Sequence, residues 1–285
     1  MLTSVLKQAQ THIIDIYKQK YHLFEMLSLL QQFYLLGAGD FYLEFISRVE
    51  TCFLENREEI SDGWFQEEFN NCVNSTSLGS SFTYISQHIH LNKLRMLSVF
   101  DIWKYPFFTI DKEPNLGVIL SQPIMTKYEQ IFSYLMLLRT QSLVLERMWI
   151  DQCWLAKELD RMKVISNRNI IKGVFDSFNL LRVKIHGFLT TLQNFYYLHI
   201  VDKLYKNLIT RLKEVEEFDL IIQYHTEFVN EICRYLCIHS GDVVIKQCIM
   251  DLVDISKKFV GIQSKLFDSI HSLIDLDQVF FIVVC

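Results

Sequence analysis

Residues 23–41 read Leu23-Phe-Glu-Met-Leu-Ser-Leu-Leu-Gln-Gln-Phe-Tyr-Leu-Leu-Gly-Ala-Gly-Asp-Phe41. Leu23, Met26, Leu27, Leu30, Phe33 and Tyr34 fall at i, i+3, i+4, i+7, i+10 and i+11, which is one apolar stripe along a helix. Gly37 and Gly39 interrupt the stripe. Asp40 then offers a cap or brace to a following helix, whose Phe41, Phe45 and Val49 share a face. The same grammar runs through the rest of the chain. A short helix around Trp64–Cys72 follows Ser61-Asp62, which is good N-cap chemistry, and residues 74–81 form a polar, small-residue loop. Thr126 to Glu129 matches a capping box, while Pro123 after Ser121 marks an alternative start for the same helix. Long helices are expected at about 124–148, 150–166 and 170–213, then at Asp219–Ile238 and Asp242–His271, with His239-Ser240-Gly241 as the break between the last two.

Composition agrees with this reading. The 285 residues include 9 Gly and 3 Pro, about 4% together against roughly 12% in ordinary usage, too few turn residues for an all-β sandwich or barrel. Half the residues are hydrophobic and 14% are aromatic, which excludes disorder. The expected class is therefore all-α, an elongated helical bundle. All three prolines (Pro106, Pro114 and Pro123) lie in one window, and Phe107–Ile110 and Leu116–Leu120 there are β-prone, so one short extended or hairpin-like excursion is expected near 103–123. Residues 1–285 read as one domain with sub-bundles at 1–100 and 124–275.

The net charge of −5 excludes the basic footprint of a nucleic-acid binder, but the charge is unevenly spread. Residues 1–138 carry −5, residues 139–213 carry +7 and residues 214–285 carry −7. A basic middle third suits an acidic partner or an internal pairing with the acidic flanks. The seven scattered cysteines make no disulfide framework and read as core thiols of a reducing compartment. No apolar run is long enough for membrane insertion, and the seven-residue run Val279–Cys285 reads as a buried or partner-facing end.

Chemistry-bearing patterns are weak. Cys233 and Cys237 sit at i, i+4 with His225 upstream and His239 beyond, but a second ligand pair is lacking, so no metal is expected. His88 and His90 alternate as in a strand without a third ligand. Leu36-Gly-Ala-Gly39-Asp40 lacks the third glycine and the preceding strand of a dinucleotide fingerprint. Glu58-Glu59 and Glu67-Glu68 suit a solvated helix surface better than acid–base work. No nucleophile elbow or metalloprotease motif is present. These patterns give no enzyme and no cofactor.

Several segments together resemble the C-terminal domain of the gamma-tubulin complex proteins, the spindle-pole-body-type family carrying the second grip motif. The helix ending Leu35-Leu36-Gly-Ala-Gly39-Asp40-Phe41 is similar to that family's signature. Trp103 through Ser121 resembles its aromatic–proline segment, and Lys127-Tyr128-Glu-Gln-Ile131-Phe132 the helix that follows. Leu181-Arg182-Val-Lys184-Ile-His-Gly-Phe188, Asn194-Phe-Tyr196 and Asp219-Leu-Ile-Ile-Gln-Tyr-His225-Thr-Glu-Phe-Val-Asn-Glu-Ile232 resemble three later motifs in the same order. Two positions depart from the family pattern: Pro114-Asn115-Leu116-Gly117 shifts the proline by one residue, and Ala38 replaces a residue that is often polar.

The resemblance implies a non-enzymatic subunit of a microtubule-nucleating complex. Its partners would be gamma-tubulin and other complex components. It would act in the cytoplasm and cytoskeleton, at a microtubule-organising centre such as a spindle pole. The sequence is expected to represent the family's C-terminal half, without the half that carries the first grip motif. Because tubulins are acidic, the contact candidates are Trp103, Phe107, Phe108, Arg139, Arg147, Arg161, Arg168, Arg182 and Lys184, with Lys163 in the same stretch. Arg182 and the aromatics carry most weight, since interface cores favour aromatics and Arg over Lys. For Phe107 and Phe108 a core role competes, and for Arg182 an internal ion pair. Gly39, Asp40, Phe41 and His225 are structural signature positions. The rival reading is a generic helical tether or scaffold of membrane traffic.

Overall fold

Helices account for nearly all of the computed structural model, which describes residues 2–54, 61–92, 105–161, 168–238 and 243–284. In chain order these are α1 (Leu2–Asp15), a π-helical turn (Ile16–Lys20), α2 (Leu23–Phe33), α3 (Gly39–Leu54), α4 (Asp62–Ser75), a 3-10 turn (Ser77–Ser81) and α5 (Phe82–His88). Strands β1 (Ile89–Leu91) and β2 (Phe108–Ile110) follow, then a 3-10 turn (Pro114–Val118) and α6 (Gln122–Arg161). The chain continues through α7 (Arg168–Asn194), a π-helical segment (Phe195–Val201), α8 (Asp202–Glu214), α9 (Phe218–Tyr235) and α10 (Val243–Val284). The all-α expectation is met, and residues 239–242 with the expected break before α10 lie outside the described residues.

Local chemistry explains the boundaries. The Ser61 hydroxyl accepts from the Trp64 amide at 3.2 Å, so α4 is capped where the sequence indicates. Helix α6 starts after Ser121 with Pro123 in its first turn, and Ser121 O accepts from the amides of Ile124 and Met125. It passes 149–150 unbroken, because no Gly or Pro stands there to stop it. Leu36, rather than either neighbouring glycine, takes the left-handed backbone that turns the chain out of α2, at φ 55°. The amides of Gly37 and Ala38 fold back to the carbonyls of Gln31 and Gln32 at 3.0 and 3.2 Å.

The excursion near the prolines is extended only at β2. Its partner is β1, antiparallel, in the register Ile89 to Ile110, His90 to Thr109 and Leu91 to Phe108. Pro114–Val118 is a 3-10 turn rather than a strand, because Pro at its first position sets φ for a helical turn.

Two compact units divide the chain, and neither is contiguous in sequence. One comprises residues 1–137 and 195–242, the other 138–194 and 243–285. The sub-bundles expected at 1–100 and 124–275 are successive, whereas these units interleave.

The first unit has an aromatic core. Phe33, Phe41, Phe45, Phe65, Phe69, Phe107, Phe108 and Phe132 are all buried. Phe107 and Phe108 are 5.0 Å apart, and Phe108 reaches Phe33 at 5.5 Å and Phe132 at 5.4 Å. Most of these pairs meet edge-on or tilted, the arrangement favoured by ring quadrupoles. The Tyr42 hydroxyl donates to Phe33 O at 2.7 Å inside this core.

The second unit packs residues 138–161 of α6 against α7 and α10. Leu155, Phe175, Phe267 and Ile270 form an apolar cluster. A polar bridge ties the three helices together: Gln152 Nε2 donates to Phe175 O at 2.9 Å, and Gln263 Nε2 donates to Gln152 Oε1 at 3.2 Å. The two aromatic contacts Phe175–Phe267 and Phe178–Phe259 set α7 and α10 antiparallel, since residue numbers rise on one as they fall on the other.

Candidate docking face

The signature residues hold the first unit together. Asp40 lies in the first turn of α3, and its carboxylate accepts from Ser77 N at 2.8 Å and Ser77 Oγ at 3.0 Å, bracing the 3-10 turn that follows α4. Burial pushes the Asp40 carboxyl up, but the Ser77 bonds and the amides of Phe41 and Asp40 itself bring it below its ordinary range. Gly39 opens α3, and a Cβ there would meet nothing within 4 Å, so no steric demand explains it. Phe41 is fully buried, stacked on Phe45 at 5.4 Å.

His225 on α9 is completely buried, and its Nε2 lies 3.0 Å from the Tyr128 hydroxyl of α6. The two rings stack at 5.9 Å. Burial lowers the imidazole pKa to about 4 against an opposing backbone interaction with Ile119, so the ring is neutral. The arrangement suits Tyr128 O–H donating to Nε2. Among the described residues Nδ1 has no hydrogen bond of ordinary geometry. Nearby Cys233 and Cys237 are buried thiols, and burial raises the Cys233 pKa.

The contact candidates separate into distinct environments. Trp103 and Lys163 lie outside the described residues, and Arg168 starts α7 with a side chain that is likewise not described. Phe107 and Phe108 are buried in the aromatic core, which takes them off the surface. Arg182 is only 7% exposed. Its guanidinium lies 4.8 Å from the Trp149 ring centroid and donates through Nε and Nη2 to Asn179 Oδ1 at 3.3 and 2.9 Å. Burial lowers the Arg182 pKa, and the group remains charged. It is an internal brace between α6 and α7, so the internal role that competes with a partner contact is filled by an aromatic face and an amide. Lys184 is exposed on α7.

Arg139, Arg147 and Arg161 share one face of α6. Successive steps of four, four, three, four, three and four residues carry Arg139, Leu143, Arg147, Ile150, Trp154, Lys157 and Arg161 along that face. Ile150 is 67% and Trp154 51% exposed. Opposite them Leu145, Met148, Gln152 and Leu155 point into the core of the unit. The strip is about 33 Å long at the helical rise. Trp154 stacks on His271 of α10 at 5.3 Å, which fixes the ring. Arg161 pairs with Glu158, and Arg147 lies near Asp151, where its charge pulls the carboxyl pKa down against the rise that partial desolvation causes. Ile150, Trp154 and Lys157 were not singled out in the sequence. Applying the helical period to the three arginines would have found them. Trp154, Ile150, Lys157 and Arg161 are exposed on this face and Arg139 and Arg147 half-buried, a mix of aromatic, aliphatic and cationic surface of the kind from which protein-binding hot spots are built.

Among the described residues no helix is long and apolar enough to cross a membrane. The model of the C-terminal region of gamma-tubulin complex components matches residues 23–277. The chain is 20% identical over 277 residues to spindle pole body component 98 of Dictyostelium discoideum, covering 93% of this chain and 32% of that protein. It is 17% identical over 284 residues to gamma-tubulin complex component 3 of Arabidopsis thaliana, covering 96% of this chain and 33% of the relative. The chain thus spans about a third of the length of these relatives.

Proposed function

This chain belongs to the gamma-tubulin complex component family, and on that footing we propose that it binds gamma-tubulin within a microtubule-nucleating assembly. The observation that carries this reading is the match to the family's C-terminal region over residues 23–277. The names of the two relatives support a place beside other gamma-tubulin complex components, in the cytoplasm and cytoskeleton, at a spindle pole or other organising centre. The reading assigns no catalysis and no cofactor to this chain. A generic tether of membrane traffic would have no reason to match this family along its length.

Within this reading, the α6 strip from Arg139 to Arg161 is the contact surface, with Trp154 and Ile150 as apolar anchors and Arg147 and Lys157 as steering charges. Arg168 and Lys184 of α7 add to the basic character of the same unit. Phe107, Phe108 and Arg182 act by holding their units together.

The test is binding of the purified chain to purified gamma-tubulin by biolayer interferometry at low and at physiological salt. Saturable binding that weakens with salt is expected, because exposed charges are screened over a Debye length of about 8–10 Å. The double variant Arg147→Glu, Lys157→Glu should bind about tenfold more weakly or worse, mainly through a slower on-rate. Trp154→Ala should act mainly on the off-rate. Absence of binding at low salt would sink the function. Full binding by the folded double variant would sink only the choice of face.

A further inference from the structure

Phe178 of α7 and Phe259 of α10 meet with ring centroids 5.5 Å apart. On each helix the neighbours of this pair divide into two sides. Toward the core lie Phe175 and Arg182 around Phe178, and Ser256 and Gln263 around Phe259, all buried. On the other side lie Val174 and Leu181 around Phe178, 36% and 46% exposed, and Ile255 and Ile262 around Phe259, 52% and 59% exposed. The offsets match: each exposed pair stands at i−4 and i+3 from its phenylalanine, and each buried pair at i−3 and i+4. The Phe178–Phe259 contact is therefore the floor of a groove between two antiparallel helices, with aliphatic side chains for walls. Phe188, seven residues beyond Leu181, and Ile170, four before Val174, lengthen the α7 wall, and both are exposed.

Charge follows the same spacing. Lys184, Lys258 and Lys265 stand three residues after Leu181, Ile255 and Ile262 respectively, and all three are exposed. Among the described residues two acids share the α10 edge, Asp251 four residues before Ile255 and Asp254 four before Lys258, and Asp254 is paired with Lys257. Aliphatic walls with lysine rims suit a helix that is apolar on one stripe and acidic on its flanks. A second copy of this chain fits less well, because pairing the groove with itself would set lysine rims against each other.

We propose that the groove between α7 and α10 docks an acidic amphipathic helix of a partner protein, one with apolar side chains at heptad spacing. The groove shares no residue with the α6 strip, and the variant that tests it leaves Lys184 unchanged, so its fate is separable from gamma-tubulin binding.

The probe is a synthetic 21-residue helical peptide, about six turns, with Leu at both core positions of each heptad and Glu at the flanking positions. One control replaces every Glu with Lys, and another scrambles the order. Binding to the whole chain is read by fluorescence anisotropy. The Leu181→Asp, Ile262→Asp variant alters only exposed positions, and its thermal melt verifies folding. The acidic peptide should bind saturably. The Lys-flanked and scrambled peptides, and the double variant with the acidic peptide, should each be weaker by about tenfold or more. Failure of the acidic peptide to bind, equal binding of the Glu and Lys peptides, or full binding by the folded double variant overturns the proposal. So does self-association in sedimentation equilibrium that the double variant abolishes, which would give the groove to a second copy.

Discussion

His225 shows what one buried side chain does to the whole molecule's response to pH. Its pKa falls from 6.5 to about 4 because burial disfavours the imidazolium. Between those values the unfolded chain takes up a proton that the folded chain refuses. The sign follows: the contribution is complete above pH 6.5 and is lost as pH falls toward 4, at a total cost of about 3 kcal/mol. Urea midpoints of the wild type and His225→Gln, measured from pH 7.5 to 4.5, should converge as pH falls, since the glutamine does not titrate. Parallel profiles would show that His225 is not the responsible group. The family resemblance placed His225 and Asp40 as structural positions, and hydrogen bonding suits both. Phe107 and Phe108 were harder to read, because an aromatic pair beside prolines looks the same in a core and at an interface. What decides is the rest of the cluster, brought in from α2, α3, α4 and α6, and sequence spacing does not report such distant neighbours.

At the scale of elements, the polar bridge among α6, α7 and α10 gives the sharpest test. Gln152 and Gln263 are buried and bonded to each other, while Gln263 Oε1 and Ser256 Oγ lack partners among the described residues. Replacing one glutamine strands the other. Gln152→Leu or Gln263→Leu alone should therefore cost about 1–3 kcal/mol, while the double Leu variant should recover most of that loss. Additive losses in a denaturation cycle would show that the bridge contributes nothing as a pair. Arg182 belongs to the same class. Arg182→Lys should destabilise by about 1–2 kcal/mol, because an ammonium cannot both lie flat on Trp149 and reach Asn179 with two donors. An unchanged melting temperature would return Arg182 to the list of surface contacts. Helix existence was legible here from the lack of Gly and Pro. The continuity of α6 through residue 150 was underread, and the π-helical insertion at Phe195–Val201 leaves no mark on an apolar pattern that tolerates one extra residue.

Over the whole molecule, charge and packing divide by unit and not by sequence thirds. Counting residues 138–194 with 243–285 gives 13 basic and 10 acidic groups, net +3, and the remainder gives 15 basic and 23 acidic, net −8. The basic stretch 139–213 is thus split between units, and an acidic partner is favoured only by the one that carries the α6 strip and the α7–α10 groove. No periodicity argument finds this interleaving, because an amphipathic stripe does not say which core it faces. Helix α6 makes the division measurable, since it serves both units. Residues 122–137 bury Tyr128, Ile131 and Phe132 in the aromatic core, whereas residues 138–161 bury Thr140, Gln141, Ser142 and Gln152 beside their aliphatic neighbours. A core interrupted by amides and hydroxyls gives up less free energy on opening than one closed by rings. Native-state hydrogen exchange along this single helix should show amides of its first part protected at least about tenfold more than those of its second. The step should fall near Leu138, with no Gly or Pro there to cause it. Uniform protection from end to end would mean that α6 opens as one body, and that the two cores share one cooperative transition.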